Sequence, residues 1–411
     1  MVAIGKGEKV LLSAYACEPG KGSEPGVGWN WALEIAKLGH EVWVLTRANN
    51  RENIEAGLAK MKPIPNLHFI YYDLPAWARR WKKLPGGIYP YCLFWQWGAS
   101  RLAKEIHRRE RFGLVHHITF GTFRQPSFMG RLGIPFLFGP VGGGERAPWH
   151  LRKDYGLRGQ IQDLLRDFMN FVVKIDPLMF STFHKAHLIF VKTPDTRELI
   201  PKQFQKKTRV QLEIGINVTP IKSNVLQNKK RGLSLLYVGR FVYWKGMAIG
   251  LRALAKAIET EPNLRLTMVG QGPGKKRWQR LCDKLGISDH IVWIPWVSHE
   301  ELAGIYASHD LFLFPSLHDS SGNVVLEAMS YGLPVICLDL GGPGVMVNHE
   351  CGRVIPVKGF SADEIIDRLA VSIGEIVQNL PLNKKLSLGA INRVKALTWN
   401  AAVSAVYRIG E

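Results

Sequence analysis

The stretch His318-Asp-Ser-Ser-Gly-Asn-Val-Val-Leu-Glu327-Ala-Met-Ser-Tyr-Gly332 decides how this chain is read. An apolar run, Leu311-Phe-Leu-Phe-Pro315, precedes it and a second, Leu333-Pro-Val-Ile-Cys337, follows. A short polar loop therefore sits between a strand and a helix that carries a carboxylate in its early turns. Such a loop turns backbone N–H groups outward at a helix N-terminus, which suits an anion or a ring of sugar hydroxyls. Asp319 lies in the loop and Glu327 inside the helix, with seven residues between them. Taken alone, the segment reads equally well as an ordinary strand–loop–helix with a solvated acid.

The pattern repeats outward in both directions. Upstream, Leu233-Ser-Leu-Leu-Tyr-Val-Gly-Arg240 opens a run of alternating strands and helices, with further strands expected at 265–269, 290–294, 311–314 and 334–337. The N-terminal half opens the same way. A strand over Val10-Leu-Leu-Ser-Ala-Tyr15 leads to the glycine-rich loop Pro19-Gly-Lys-Gly-Ser-Glu-Pro-Gly-Val-Gly28, a helix from Trp29 to Leu38 and a strand over Glu41–Thr46. That is a βαβ unit, with its loop at the strand end where open α/β sheets bind ligands. It lacks a clean G-x-G-x-x-G, which weighs against a nicotinamide site. More strands are expected at 67–72, 113–118, 134–138 and 187–192. Around 210–231 the pattern loosens into a polar, basic stretch ending Lys229-Lys-Arg231, where the domain linkage is expected.

The 411 residues allow two α/β cores. Aromatic content of 10% and charged content of 21% fit a folded chain. No run of about 18 apolar residues spans a membrane, and the N-terminus lacks the apolar core of a signal peptide. A cytoplasmic location is therefore expected. Five scattered cysteines with no C-x-x-C pair argue against structural zinc and a disulfide framework. The net charge of +20 favours an anionic partner: nucleic acid, an acidic membrane face or a phosphorylated ligand. No RNA-recognition, zinc-finger or helix-turn-helix pattern supports nucleic acid, which is not expected as a partner.

Three further segments converge with the first. Gly239-Arg-Phe-Val-Tyr-Trp-Lys-Gly246 leaves a strand end, where Arg240 and Lys245 are two cations able to neutralise a diphosphate. Val269-Gly270-Gln-Gly-Pro-Gly274 is a tight strand-end turn, and Ile294-Pro-Trp296-Val297 leaves another strand. Together these resemble the retaining GT-B glycosyltransferases of family 4, whose signatures are acid-x7-acid, G-R-x-x-x-x-K-G and V-G-x-G-P. This chain carries Asp319 where the family usually has Glu, and Val345 where it often has Glu.

The resemblance implies two Rossmann-like doubly wound domains facing across a cleft: an acceptor-side domain at 1–215, joined by the C-terminal helix 396–411, and a nucleotide-sugar domain at 216–395. It assigns Arg240 and Lys245 to the donor diphosphate, Asp319 with Ser320, Ser321, Gly322, Asn323 and Val324 to the donor hexose, and Glu327 to the ribose. Gly239 and Gly270 would border the donor, and backbone near Trp296 and Val297 would meet the base. In the first domain Gly22-Ser23 occupies the place of paired glycines, with Ser for the second. His116 matches the first histidine of an H-x-H strand end, and His117 stands in for the second; a histidine satisfied in an interface is the alternative. Gly142, Gly143, Gly144 and Glu145 would lie on the acceptor side, a flexible hinge explaining the glycines equally well. No metal or other cofactor is expected beyond a nucleotide-sugar substrate, with UDP-glucose or a related UDP-hexose as donor and a saccharide or lipid-linked acceptor. The alternatives are a sugar-nucleotide epimerase of similar fold and a non-catalytic basic α/β protein that binds nucleic acid.

Residues 77–112 interleave Trp77, Trp81, Trp95 and Trp97 with Arg79, Arg80, Lys82, Lys83, Arg101 and Lys104. Contact with an anionic membrane surface is slightly favoured over core packing under a solvated basic face, and the composition would also suit single-stranded nucleic acid.

Overall fold

The structure is a computed structural model that describes residues 5, 7–84, 86–217 and 234–408. The linkage expected at 210–231 therefore lies, beyond residue 217, outside the described residues. The chain divides into two compact units, one of residues 1–144, 167–215 and 399–411 and the other of 145–166 and 216–398.

In the first unit seven strands form one sheet: β1 (Lys9–Ala14), β2 (Glu41–Arg47), β3 (Leu67–Tyr72), β4 (Leu114–Thr119), β5 (Phe136–Val141), β6 (Leu188–Val191) and β7 (Thr208–Val210). Their order is β3-β2-β1-β4-β5-β6-β7, and every pairing is parallel. Parallel strands covered on both faces need unbroken apolar runs, and Val10, Leu11 and Leu12 are all fully buried. The order reverses between β1 and β4, so the loops leaving those two strands border the crevice where such sheets take ligands.

The helix after β1 runs Ser23–Lys37, starting six residues before the expected Trp29. Its glycines are there for close approach rather than for a loop. A Cβ on Gly26 would stand 2.1 Å from the Lys21 carbonyl oxygen, and one on Gly28 2.1 Å from that of Ala16. The terminal helix Trp399–Tyr407 packs in this unit, where the Asn400 amide donates to Glu34 Oε2 at 3.2 Å.

The second unit carries β8 (Ser234–Val238), β9 (Arg265–Val269), β10 (Ile291–Ile294), β11 (Leu311–Phe314), β12 (Val335–Leu338) and β13 (Gly352–Ile355). They form a parallel sheet in the order β10-β9-β8-β11-β12-β13, reversing between β8 and β11. β13 was not expected, because Arg353 interrupts an already short apolar run.

Residues 145–166 were assigned to the first domain, yet they group with this second unit. The reason is polar and aromatic anchoring. Arg252 donates from both terminal nitrogens to Asp154, at 2.5 and 2.8 Å, and Tyr155 meets the Tyr243 ring edge-on at 4.5 Å.

Candidate functional site

Parallel topology gathers the carboxyl ends of β8, β9, β10, β11 and β12 at one edge of the second unit, and the expected donor residues follow those ends. Arg240 and Lys245 leave β8, and residues 316–322 leave β11; the sheet order reverses between these two strands. Lys245 Nζ forms an ion pair with the Asp319 carboxylate, both groups largely withdrawn from water. The ammonium also stands 4.8 Å over the Phe314 ring. The turn that carries it tolerates no side chain at its next residue: Gly246 has φ +66°, and a Cβ there would lie 1.9 Å from the Pro315 carbonyl oxygen. Backbone bonds tie the same two loops, since Leu317 N donates to Trp244 O at 2.8 Å.

Arg240 is exposed, with its guanidinium 5.7 Å from the Trp244 ring. Beneath it the buried Tyr237 hydroxyl donates to the Arg240 carbonyl at 3.1 Å. Burial, with Asp319 nearby, drives that phenol far above its usual range, so it stays a neutral donor.

Gly239 and Gly270 lie where two strand ends touch. Gly239 N donates to Val269 O, and a Cβ on Gly270 would stand 2.1 Å from the Gly239 carbonyl oxygen. The loop Ser320-Ser321-Gly322 is held from the other side by residues after β12, with Gly342 N donating to Asp319 O at 2.7 Å. Gly322, at φ +84°, begins the helix Asn323–Ser330. The amides of Asn323 and Val324 fall in its first turn, where no intrahelical acceptor exists. Glu327 is half-buried one turn further on and accepts from the Tyr306 hydroxyl at 3.1 Å. Trp296 is exposed beyond β10 and Val297 is half-buried.

Sequence reasoning passed over the groups that support this loop. His318, quoted with the acidic stretch but given no role, stacks on Trp244 at 5.5 Å and faces Asp163 Oδ1 with its Nε2 at 3.4 Å. Burial holds His318 below the usual histidine value, against the pull of Asp163. Burial pushes the Asp163 carboxyl up, but His318, Arg152 and Arg166 outweigh it and keep it below the usual carboxylate value. No spacing in the sequence links position 163 to 318. The signal that was available was the adjacency of His318 to Asp319.

The candidate residues of the first unit fare differently. Gly22 has open space around it, and Ser23 holds φ +57°, a left-handed conformation that favours glycine. The Glu24 carboxylate, also passed over, accepts from the amide of Phe120 at 2.7 Å and that of Gly121 at 3.2 Å, joining the loops after β1 and β4.

The geometry tells against a sugar-contacting role for His116, while His117 is placed beside it. Both are buried, and His116 uses both ring nitrogens within its unit: Nε2 donates to the Gly139 carbonyl at 2.6 Å and Nδ1 accepts from the Tyr407 hydroxyl at 2.9 Å. Burial lowers His116 to about 4, and burial with His116 beside it lowers His117 to about 3. Both are neutral here; His116 has no ring nitrogen left for a sugar, whereas the buried His117 Nδ1 has no hydrogen-bond partner among the described residues. Gly142 pairs with Thr122 and a Cβ on Gly144 would meet Thr196 Cα at 2.7 Å, so these glycines serve close packing. Gly143 takes φ +101° beside Arg124, and Glu145 is buried 3.7 Å from Arg166 in the second unit. Among the described residues no three His, Cys, Asp or Glu side chains gather as a metal site.

Residues 219–387 match the model of the family described as glycosyl transferases group 1. The chain is 25% identical over 301 residues to a D-inositol 3-phosphate glycosyltransferase of Corynebacterium diphtheriae, covering 62% of this chain and 69% of the relative. For most of the curated relatives the match spans less than two thirds of their own length. Among solved structures, WaaG, a glycosyltransferase involved in lipopolysaccharide biosynthesis, superposes with TM-score 0.56 at 17% identity, over 97% of this chain and 99% of that one. Anabaena HepE in complex with UDP and glucose superposes with TM-score 0.55 at 14% identity, over 98% of each chain. The fold is GT-B, with two Rossmann-like parallel α/β units. Residues 219–387 are thus similar to the glycosyl transferases group 1 family, in a chain whose fold solved glycosyltransferases share.

Proposed function

We propose that this chain is a retaining, family 4 type glycosyltransferase that moves a hexose from a UDP-sugar, UDP-glucose or a close relative, to a saccharide or lipid-linked acceptor of surface polysaccharide. The observation that carries the reading is the Lys245–Asp319 ion pair at the reversal point of the second sheet, with Arg240 exposed beside it. A cation meant for a diphosphate and an acid meant for sugar hydroxyls there hold each other until a donor replaces both partners.

In the reaction the bond from the sugar C1 to the diphosphate breaks with its electron pair going to the diphosphate oxygen, an acceptor hydroxyl oxygen bonds to C1, the hydroxyl proton passes to the departing diphosphate, and UDP leaves. Arg240 and Lys245 would take up the negative charge that develops on the leaving group. Losing one such contact costs about 10²–10³ in rate where a preorganised donor is removed from a transition-state charge. Asp319 and the amides around Gly322 and Asn323 would orient the hexose, and Glu327, steadied by Tyr306, the ribose. Two cations already serve the diphosphate, so turnover is expected to survive chelation of divalent ions.

The UDP and glucose bound by a protein of this fold, and the lipopolysaccharide role of another, support the donor and acceptor classes. No helix among the described residues is long and apolar enough to cross a membrane, and we place the enzyme on the inner membrane face through reversible contact. Incubation with UDP-glucose labelled in the sugar tests the reading. Label transferred to a saccharide acceptor, with the anomeric configuration of the donor retained, supports it; conversion of the donor to an isomeric UDP-sugar alone would replace it with the epimerase.

A further inference from the structure

The helix Leu157–Val172 bears on the donor loop through one of its faces. Residues 157–166 of that helix lie in the second unit. Gly159, Gln162 and Asp163 share a face because they are three and four residues apart. That face meets the turn that carries Lys245. A Cβ on Gly159 would stand 3.2 Å from atoms of the Tyr243 ring, and the Tyr243 hydroxyl donates to Gln162 Oε1 at 3.2 Å. Asp163 is 3% exposed; its Oδ1 faces His318 Nε2 at 3.4 Å and its Oδ2 faces Arg152 Nε at 3.6 Å.

His318 passes that contact on to the donor site. Its ring lies 18° from the plane of Trp244, with centroids 5.5 Å apart. Trp244 immediately precedes Lys245, and His318 immediately precedes Asp319. The stack therefore ties together the two neighbours of the ion pair, and Asp163 keeps the imidazole from turning within it. Burial holds His318 below the usual histidine value despite Asp163, so near neutral pH the ring is uncharged. The two sides of the ion pair are anchored differently. The Lys245 amide donates to Val242 O at 3.0 Å, and Gly246 packs tightly against the Pro315 carbonyl. Opposite, Gly342 N holds the Asp319 carbonyl, while the chain ahead of it is fixed through the His318 ring. Loosening that ring should shift Asp319 and leave Lys245 in place.

We propose that Asp163 and His318, stacked on Trp244, are positioning residues for the donor hexose, holding Asp319 where it meets the sugar. This rests on the transferase reading and adds to it residues that bind neither phosphate nor ribose. It predicts a split: the hexose loses its alignment when the pair is broken, and the nucleotide does not.

The test is calorimetric titration of the full chain with UDP and with UDP-glucose, beside transfer of labelled glucose. In His318→Leu, UDP affinity should hold. The ratio of the UDP-glucose to the UDP dissociation constant should rise about tenfold, the size of one misaligned charge-assisted contact. Its kcat should fall about a hundredfold, the cost of a displacement near 1 Å. His318→Gln, whose neutral amide still reaches Asp163, should recover most of both. Added to Asp319→Asn, His318→Leu should cost almost nothing more, because its effect passes through that carboxylate. Asp154→Asn loosens the same segment at its contact with Arg252 instead; it should lower Tm and leave the ratio and kcat unchanged. An unchanged ratio and kcat in folded His318→Leu would overturn the assignment. So would an equal loss in Asp154→Asn, or a full further loss on the Asp319→Asn background, since either marks general stability alone. Should His318→Leu not fold, Asp163→Asn keeps the shape of its side chain and should show the same split, and an unchanged ratio there overturns the assignment equally. A wild-type chain that binds neither nucleotide sinks the transferase reading and this one with it, whereas failure in the variants alone sinks only the positioning role.

Discussion

Replacing Gly246 by alanine separates backbone strain from collision at the turn that carries Lys245. Gly246 sits at φ +66°, and its added Cβ would stand 1.9 Å from the Pro315 carbonyl oxygen and 3.0 Å from the carbon. The left-handed conformation costs a residue with a side chain about 1–2 kcal/mol. The collision adds about 1–3 kcal/mol, because backbone meets methyl and neither can rotate aside. Gly286 is the control: it has φ +69° but nothing within 4 Å of its added Cβ, so alanine there incurs only the first cost. In a domain of this size each kcal/mol moves Tm by about 2–4 °C. Gly246→Ala should therefore lower the melting of the second unit by roughly 10 °C, and Gly286→Ala by roughly 5 °C. Function should separate them further. Relieving the collision pushes the Lys245 turn away from the Asp319 loop, and a misplacement near 1 Å costs about a hundredfold in rate, whereas Gly286→Ala should turn over normally. Scanning calorimetry and the labelled-donor assay read both effects. Equal melting losses, or wild-type turnover in Gly246→Ala, would refute the close contact and the role given to it.

Three further predictions follow from the same geometry. Asp319→Asn should cut sugar transfer about a hundredfold while UDP affinity holds, whereas Glu327→Gln should weaken both UDP and UDP-sugar; a soaked crystal with the ribose away from Glu327 would end that division. His117 is depressed to about 3 from 6.5, so the unfolded chain takes its proton first as pH falls. Its stabilising contribution is whole above pH 6.5 and shrinks below it, by about 2 kcal/mol at pH 5. His117→Leu should remove that part of the acid sensitivity in urea titrations at the two pH values, and an identical slope in the variant would refute it. Ser23→Gly should raise Tm by a degree or two, since relief of the left-handed strain at φ +57° slightly exceeds the added entropy of the unfolded chain; a lower Tm would count against that strain.

The strand–loop–helix alternation was legible because buried parallel strands must be unbroken apolar runs, as Leu311–Phe314 and Val10–Leu12 are. The grouping of Arg240, Lys245 and Asp319 was legible for the same reason: once the strands are placed, parallel topology delivers all three to one edge. What stayed hidden depends on partners distant in sequence. His116 looks like a ligand-facing histidine until Tyr407, 291 positions away, takes its second nitrogen. Residues 145–166 look like part of the first domain until Asp154 finds Arg252 and Asp163 finds His318. The Leu157–Val172 helix has ordinary amphipathic spacing, and only the fold reveals that its polar face is the one turned inward.

Calorimetric titration of UDP into the wild-type chain and into Arg240→Ala and Lys245→Ala tests the central claim most directly. Wild type should bind UDP, and each variant, folded as judged by its melting, should lose at least about tenfold in affinity, the worth of one charge-assisted contact to a phosphate. Wild-type affinity for UDP in both variants would contradict the assignment of the diphosphate to these two cations.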